Sequence, residues 1–182
     1  VSYYDTDGTT LLASGTIASI DGNYINLTGR CQGFQTITDR AGKVGYTNGN
    51  AKLTTSQKKY GSASLALDGT GDYLYVTTAS SAFNYGTSDF TIECWLYPTT
   101  NNQNSNLFDT RPSATNGLYP NISLSSAGNQ VLWYINSATQ ITGGTLSPNA
   151  WYHLAVVRNS GSTKIYINGT QSGGTYTDTN NY

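Results

Sequence analysis

Apolar and polar positions alternate along much of this chain with a period of two, and no long segment carries the 3.6-residue apolar stripe of an amphipathic helix. In Phe90-Thr91-Ile92-Glu93-Cys94-Trp95-Leu96-Tyr97, one face carries Phe90, Ile92, Cys94 and Leu96. The other carries Thr91, Glu93, Trp95 and Tyr97. Pro98 ends the run, because proline has no N–H to give to a ladder. Trp151 to Arg158 reads as a second long strand. Lys164 to Gly169 reads as a third, with Ile165 and Ile167 on one face. Asn159-Ser160-Gly161-Ser162 turns the chain between them. Val131 to Ile135 and Ser64 to Leu67 are further strands, and Ala79 to Tyr85 has room for one helical turn. Several strands are apolar or aromatic on both faces, as expected in a two-layer sandwich whose outer face is wet but adhesive.

Turn signals punctuate this pattern. Asp-Gly occurs at 7–8, 21–22 and 68–69, and Asn-Gly at 48–49, 116–117 and 168–169. These dipeptides accept φ > 0 at low cost, as tight hairpins require. Thr16 to Ile20, then Asp21-Gly22, then Asn23 to Leu27 predicts one such hairpin. The texture changes at Gly29 to Gly33, which places a boundary near residue 34. Residues 1–34 are then a connector or docking hairpin, and residues 35–182 an all-β, two-layer antiparallel sandwich. A lone hairpin is marginal in water, so this one is expected to pack on the sandwich or on another chain.

Composition narrows the function classes. Apolar residues make up 37 % of 182, enough for one core, and no run approaches the roughly 18 apolar residues of a spanning helix. No membrane insertion is expected, and the stretch from Val1 shows no signal-peptide pattern. Charged residues are only 10 % and the net charge is −1, so a nucleic-acid partner is not expected. Fifteen Tyr, three Trp and four Phe let the chain bury enough to fold. The Tyr, Asn, Ser, Thr and Gly palette is that of binding surfaces. It is also that of ordinary strands and turns. Spacing leaves open whether Cys31 and Cys94 pair; Cys94, in an apolar strand, is expected as a buried free thiol.

Four ordered segments resemble the laminin-G-like jelly roll of the concanavalin-A-like lectin/glucanase superfamily. They are Lys59-Tyr60-Gly61-Ser62-Ala63-Ser64-Leu65-Ala66-Leu67-Asp68-Gly69, Asp89 to Leu96, Ala150 to Arg158 and Lys164 to Gly169. The resemblance covers about residues 35–182 and implies a concanavalin-A-like jelly roll. Ser64 to Tyr73, Leu107 to Arg111 and Ile141 to Leu146 further resemble versions in bacteriophage tail fibres and other virion surface proteins. That implies a viral protein at the virion surface or in the extracellular space. Its expected partners are other virion proteins or copies of itself, as a homo-oligomer (a trimer by analogy with fibres), and host-surface glycan. In this family further strands follow the Tyr-Ile-Asn-Gly hairpin. The chain stops at Tyr182, so the sandwich is expected to lack its C-terminal strands and to be completed by more chain or a neighbour.

Catalytic chemistry finds little purchase. Glu93 is the only glutamate and His153 the only histidine. Retaining glycosidases need two carboxylates about 5–5.5 Å apart, and no strand carries alternating acids. Glu93 reads as a solvent-face residue and His153 as a ring hydrogen-bonded across the sheet. No Gly-x-Ser-x-Gly elbow and no zinc-ligand pair is present. Asp68-Gly69-Thr70-Gly71-Asp72 resembles a calcium loop but lacks the glutamate and length of an EF-hand, and a glycine-rich turn explains it better. Thr115-Asn116 stands where calcium-binding pentraxin relatives carry an Asp-Asn pair, so Ca²⁺ has no support and no cofactor is expected. For a ligand, the candidates are Arg111, Asn116, Tyr119, Trp133 and Tyr134, in or beside the loops of the middle strands. The competing reading packs Trp133 in the core and leaves Asn116-Gly117 to turn the chain. The expectation is a non-catalytic glycan- or receptor-binding virion module. A purely architectural decoration or connector protein is the alternative, with a glycoside hydrolase behind both.

Overall fold

The computed structural model describes residues 2–4, 11–14, 16–21, 24–28, 36–38, 44–76, 83–101, 104–112 and 115–182. The chain divides into two compact units, residues 1–53 with 65–77 and residues 54–64 with 78–182. Cys31, the boundary expected near residue 34, and most of the helical turn expected over 79–85 lie outside the described residues. Among the described residues no helix is long and apolar enough to cross a membrane.

The first nine strands are β1 (Ser2–Tyr4), β2 (Leu11–Ser14), β3 (Thr16–Asp21), β4 (Tyr24–Thr28), β5 (Thr36–Thr38), β6 (Val44–Asn48), β7 (Lys52–Thr54), β8 (Ser64–Ala66) and β9 (Tyr73–Val76). In the first unit β1 pairs with β2, and β3 with β4, both antiparallel. The hairpin read from residues 16–27 is therefore present, although Asp21 belongs to β3 and pairs with Tyr24. A three-stranded sheet runs β5-β6-β9. Its loops are tied by Asp72, whose Oδ1 accepts from Asn50 N at 2.8 Å and whose Oδ2 accepts from Asp68 N at 2.9 Å. Asp68 Oδ1 accepts from Thr70 N at 2.7 Å. The carboxylates of the calcium-like loop are thus engaged by backbone donors, as a turn requires. The Thr70 N–H bond is the main cause holding Asp68 below its ordinary pKa.

The second unit is a sandwich of two four-stranded antiparallel sheets. One contains β10 (Phe90–Leu96), β15 (Tyr152–Asn159), β16 (Ser162–Ile167) and β17 (Thr170–Thr177), in the order β10-β15-β16-β17. The other is β11 (Ser105–Asp109), β12 (Asn121–Leu124), β13 (Gln130–Ile135) and β14 (Ala138–Thr145), in sequence order. Period-two alternation sends Ile122, Leu124, Val131, Trp133, Ile135 and Ile141 inward from the second sheet. Leu154, Val156 and Ile165 meet them from the first. Trp133 is 0 % exposed, and its ring lies 6.1 Å from Phe90 and 6.3 Å from Tyr182. Its Nε1 has no hydrogen-bond partner, so bulk rather than polarity keeps the indole there.

Three two-residue turns depend on left-handed backbone. Asn136-Ser137 (φ 50° and 64°), Ser160-Gly161 (47° and 72°) and Asn168-Gly169 (51° and 80°) join β13–β14, β15–β16 and β16–β17. The sheets approach closely where β17 meets β14. Gly144 N donates to Ser172 Oγ at 2.7 Å, and a Cβ on Gly173 would stand 2.4 Å from Thr142 O. The strand expected over 151–158 is β15, that over 90–97 is β10, and that over 131–135 is β13. Cys94 is free, as expected, but exposed where burial was expected. It lies opposite buried Leu154 on the inward face, but β10 is an edge strand and is roofed less completely than central β15.

Residues 178–182 are seated in the sandwich. Asp178 is 0 % exposed and accepts from Thr163 Oγ1 at 2.6 Å, Tyr182 Oη at 2.8 Å and Asn180 Nδ2 at 3.0 Å. Gly86 and Tyr182 exchange two backbone hydrogen bonds, of 2.8 and 3.0 Å. The Arg158 guanidinium lies 5.4 Å over the Tyr182 ring, and its Nη1 donates to Gly86 O at 3.2 Å. Burial, reinforced by Asp178, pushes the Tyr182 phenol well above its ordinary value.

Replacing Asp178 by Ala strands those buried donors and is expected to cost about 2–4 kcal/mol, read as a lower urea midpoint at unchanged slope. Because the Tyr182 pKa is raised on folding, its contribution is intact below the ordinary phenol value of 10.0 and is lost as pH rises beyond it. Alkaline denaturation is therefore expected to be shallower in Tyr182→Phe than in the parent, each compared with its own neutral-pH stability.

Candidate functional site

The outer face of the β11–β14 sheet holds most of the residues singled out from sequence. Register aligns Asp109 with Asn121 and Asn121 with Tyr134. Arg111 closes a bidentate pair on Asp109, Nε to Oδ1 at 2.9 Å and Nη2 to Oδ2 at 2.6 Å, and its backbone N donates to the same carboxylate at 2.9 Å. The guanidinium lies 5.7 Å over the Tyr134 ring. Asn121 Nδ2 donates to Asn106 Oδ1 at 3.1 Å. Burial alone would raise the Asp109 carboxyl, but the Arg111 hydrogen bonds and charge outweigh it and hold the group below its ordinary value. Arg111 is correspondingly raised by Asp109.

The loop after β11 returns to the sheet through Thr110 N donating to Pro120 O at 3.2 Å. Gly117 O accepts from both Tyr119 N and Asn136 N, which brings Asn116 and Tyr119 to the end of β13. Of the five expected residues, Arg111 and Tyr134 meet on the outer face of this sheet, and Asn116 and Tyr119 lie in the loop that reaches the end of β13. Trp133 does not join them. It occupies the inward parity of β13 between outward Leu132 and Tyr134 and is fully buried, so it packs the core and presents no platform. The Arg111 guanidinium is taken up by Asp109 and covers a face of Tyr134.

The outer face of the other sheet is more open. Leu154 and Val156 point inward, so His153 points outward, opposite Trp95 on β10. Trp95 is 38 % exposed and its ring lies 5.2 Å from that of His153. His153 is fixed by Asn168, which accepts from His153 N at 2.9 Å and donates its own N to His153 O at 2.8 Å. Its Nε2 is 3.3 Å from Glu93 Oε2, which is the cross-strand contact expected of that ring. Tyr60, 68 % exposed, meets Trp95 edge-on with centroids 5.5 Å apart. Lys59 Nζ stands 4.5 Å from the Trp95 centroid. Trp151 packs against Tyr97 at 5.3 Å. Lys59, Tyr60, Ala63, Ser64, Trp95 and Trp151 line an open cleft of about 210 Å³.

Sequence reasoning placed Trp95 on the outward face but passed over it as a site. The signal available was an outward Trp beside the chain's only Glu and opposite its only His. The approach of Lys59 and Tyr60 had none, because residues 55–63 carry no periodic pattern. Register sets Glu93 opposite Ala155, Tyr166 and Gln171 in turn, so no carboxylate faces it across this sheet. Among the described residues no cluster of three or more metal-ligating side chains occurs. A second cleft, of about 290 Å³, is lined by Asn101, Gly128, Thr145, Leu146 and Ser147 and carries no titratable group.

Two antiparallel sheets packed face to face, with strand pairs closed by tight hairpins, define a β-sandwich of lectin type. A laminin-G-type profile described as the Concanavalin A-like lectin/glucanases superfamily matches residues 68–182, and the chain belongs to that family. No curated protein and no solved structure gave a match.

Lowering of the Asp109 pKa by Arg111 predicts that the Asp109 carboxyl, followed by NMR, titrates below 3.8 in the parent and moves upward in Arg111→Ala. The stabilising contribution is present above the ordinary carboxylate pKa and is lost as pH falls through the depressed one. Both partners are partly exposed, so the stability change at neutral pH should stay within about 1 kcal/mol.

Proposed function

We propose that this protein is a non-catalytic surface module that binds glycan through the cleft around Trp95. The observation that carries the reading is an exposed Trp95 with Tyr60 edge-on beside it, in an open cleft. Aromatic faces supply large contact area at low entropic cost and suit the apolar face of a pyranose ring. Membership of a superfamily of lectins and glucanases supports a saccharide ligand. Binding rather than hydrolysis is favoured by the lone position of Glu93, whose carboxylate contacts His153 and faces no second acid across the sheet. Placement on a virion, in a fibre or tail, and self-association as a homotrimer rest on the sequence resemblance.

Binding to a saccharide panel, read by tryptophan fluorescence and calorimetry, is expected to be weakened at least ~10-fold by Trp95→Ala, equivalent to about 1.4 kcal/mol. Arg111→Ala, on the other sheet, should leave it unchanged, and no reducing ends should be released from the same saccharides. Failure of the parent to bind any member of the panel, or loss of binding in Arg111→Ala alone, would sink the proposal.

A further inference from the structure

The cleft has one charged lining residue. Lys59 carries it, with Nζ 4.5 Å from the Trp95 centroid and 5.8 Å from that of Tyr60. Ala63, Ser64, Trp95, Tyr60 and Trp151 complete the lining without a formal charge at neutral pH. Among the described residues no carboxylate forms an ion pair with Lys59. The carboxylate on this sheet face, Glu93, lies outside the lining and sits against His153, Oε2 to Nε2 at 3.3 Å. Lys59 is exposed, so its contact with the indole is of the weak, hydrated kind. Three ammonium donors therefore stand at the mouth of an aromatic cleft with no anion assigned to them among the described residues.

The volume sets the size of the occupant. At about 210 Å³ the cleft falls below the range of about 300–1,000 Å³ that encloses drug-sized ligands, and it suits a single ring. The Lys59 ammonium stands over the indole, 4.5 Å from its centroid, so a ring that stacks there moves it aside. A neutral sugar has to displace that ammonium. A sugar bearing a carboxylate can pair with it while keeping the stack, and the charge-assisted bond is the stronger for it.

We propose that the cleft selects an acidic sugar, a pyranose carrying a carboxylate, with the ring on Trp95 and Tyr60 and the carboxylate on Lys59. The proposal rests on the glycan-binding reading and adds the ligand's charge and the residue that reads it. Lys59 acts as the specificity determinant, and Trp95 supplies affinity common to acidic and neutral rings.

The test uses the full chain and two matched ligands, a glucuronic-acid-containing oligosaccharide and its carboxyl-reduced neutral counterpart. Calorimetry at low salt is expected to give the acidic ligand at least ~10-fold tighter binding. The gap should shrink at about 0.5 M salt, where screening is short-ranged. Lys59→Ala should make the two ligands bind alike, by weakening the acidic one and tightening the neutral one no more than ~5-fold, Lys59→Arg should restore most of the difference, and Trp95→Ala should weaken both. Equal affinity of the parent for the two ligands would overturn the proposal while leaving glycan binding intact, provided Trp95→Ala still weakens both. Undiminished binding of the acidic ligand by Lys59→Ala would also overturn it, showing Lys59 to be a plug. If neither these ligands nor any of a wider panel binds, the glycan-binding reading falls with it.

Discussion

Burial of Trp133 between two sheets sets the geometry of the second unit. A strand has only two faces, so committing one bulky ring to the core assigns every other residue of β13. Tyr134 is sent outward, where Arg111 covers it, and Val131 and Ile135 follow Trp133 inward. Register passes the same parity to β12, where Ile122 faces the core and Asn121 the polar side. Across the core, Leu154 and Val156 impose the same rule on β15 and β10, which is why His153 and Trp95 meet on the outside. One constraint thus places both the packed interior and the two candidate surfaces.

The strands with clean alternation or strong turn chemistry were legible in the sequence. β13 and β16 carry β-branched or aromatic residues at every second position, β10 is apolar at Phe90, Ile92, Cys94 and Leu96, β15 is apolar at Tyr152, Leu154 and Val156, and Asn168, Gly169 and Gly161 take the left-handed backbone their residue types invite. β17 was not legible. Its sequence Thr-Gln-Ser-Gly-Gly-Thr-Tyr-Thr has no apolar period, and it forms because β16 offers an edge and because Gly173 lets it approach β14. The turn at Asn136-Ser137 was also hidden, since serine is seldom recruited for φ > 0. Cys94 was misjudged because alternation reports the face a residue takes and not how fully that face is roofed.

The candidate site was legible in part, for a related reason. Sequence reasoning looked for polar and aromatic residues near loops and singled out Arg111, Asn116, Tyr119 and Tyr134, of which Arg111 and Tyr134 are in contact. It could not see that Asp109 would take both edges of the Arg111 guanidinium. Conversely, Trp95 was visible as an outward residue, but its partners Lys59 and Tyr60 arrive from a segment about 35 residues earlier that lacks regular structure. Sites assembled by tertiary approach leave little trace in local pattern. A group's availability depends on whether neighbours have already satisfied it.

The pairing of β10 with β15 sets Phe90 opposite Arg158, while the whole of the other sheet lies between them in the chain. Loop-closure entropy for such a contact is paid before the contact returns anything. The β11–β14 sheet pairs its strands in sequence order, so its contacts close shorter loops. Completion of the Trp95 face therefore waits on the slowest class of event in β-protein folding, since His153 reaches Trp95 only when that distant register has closed. The aromatic cleft is thus a surface that only a long-range closure of the chain can complete.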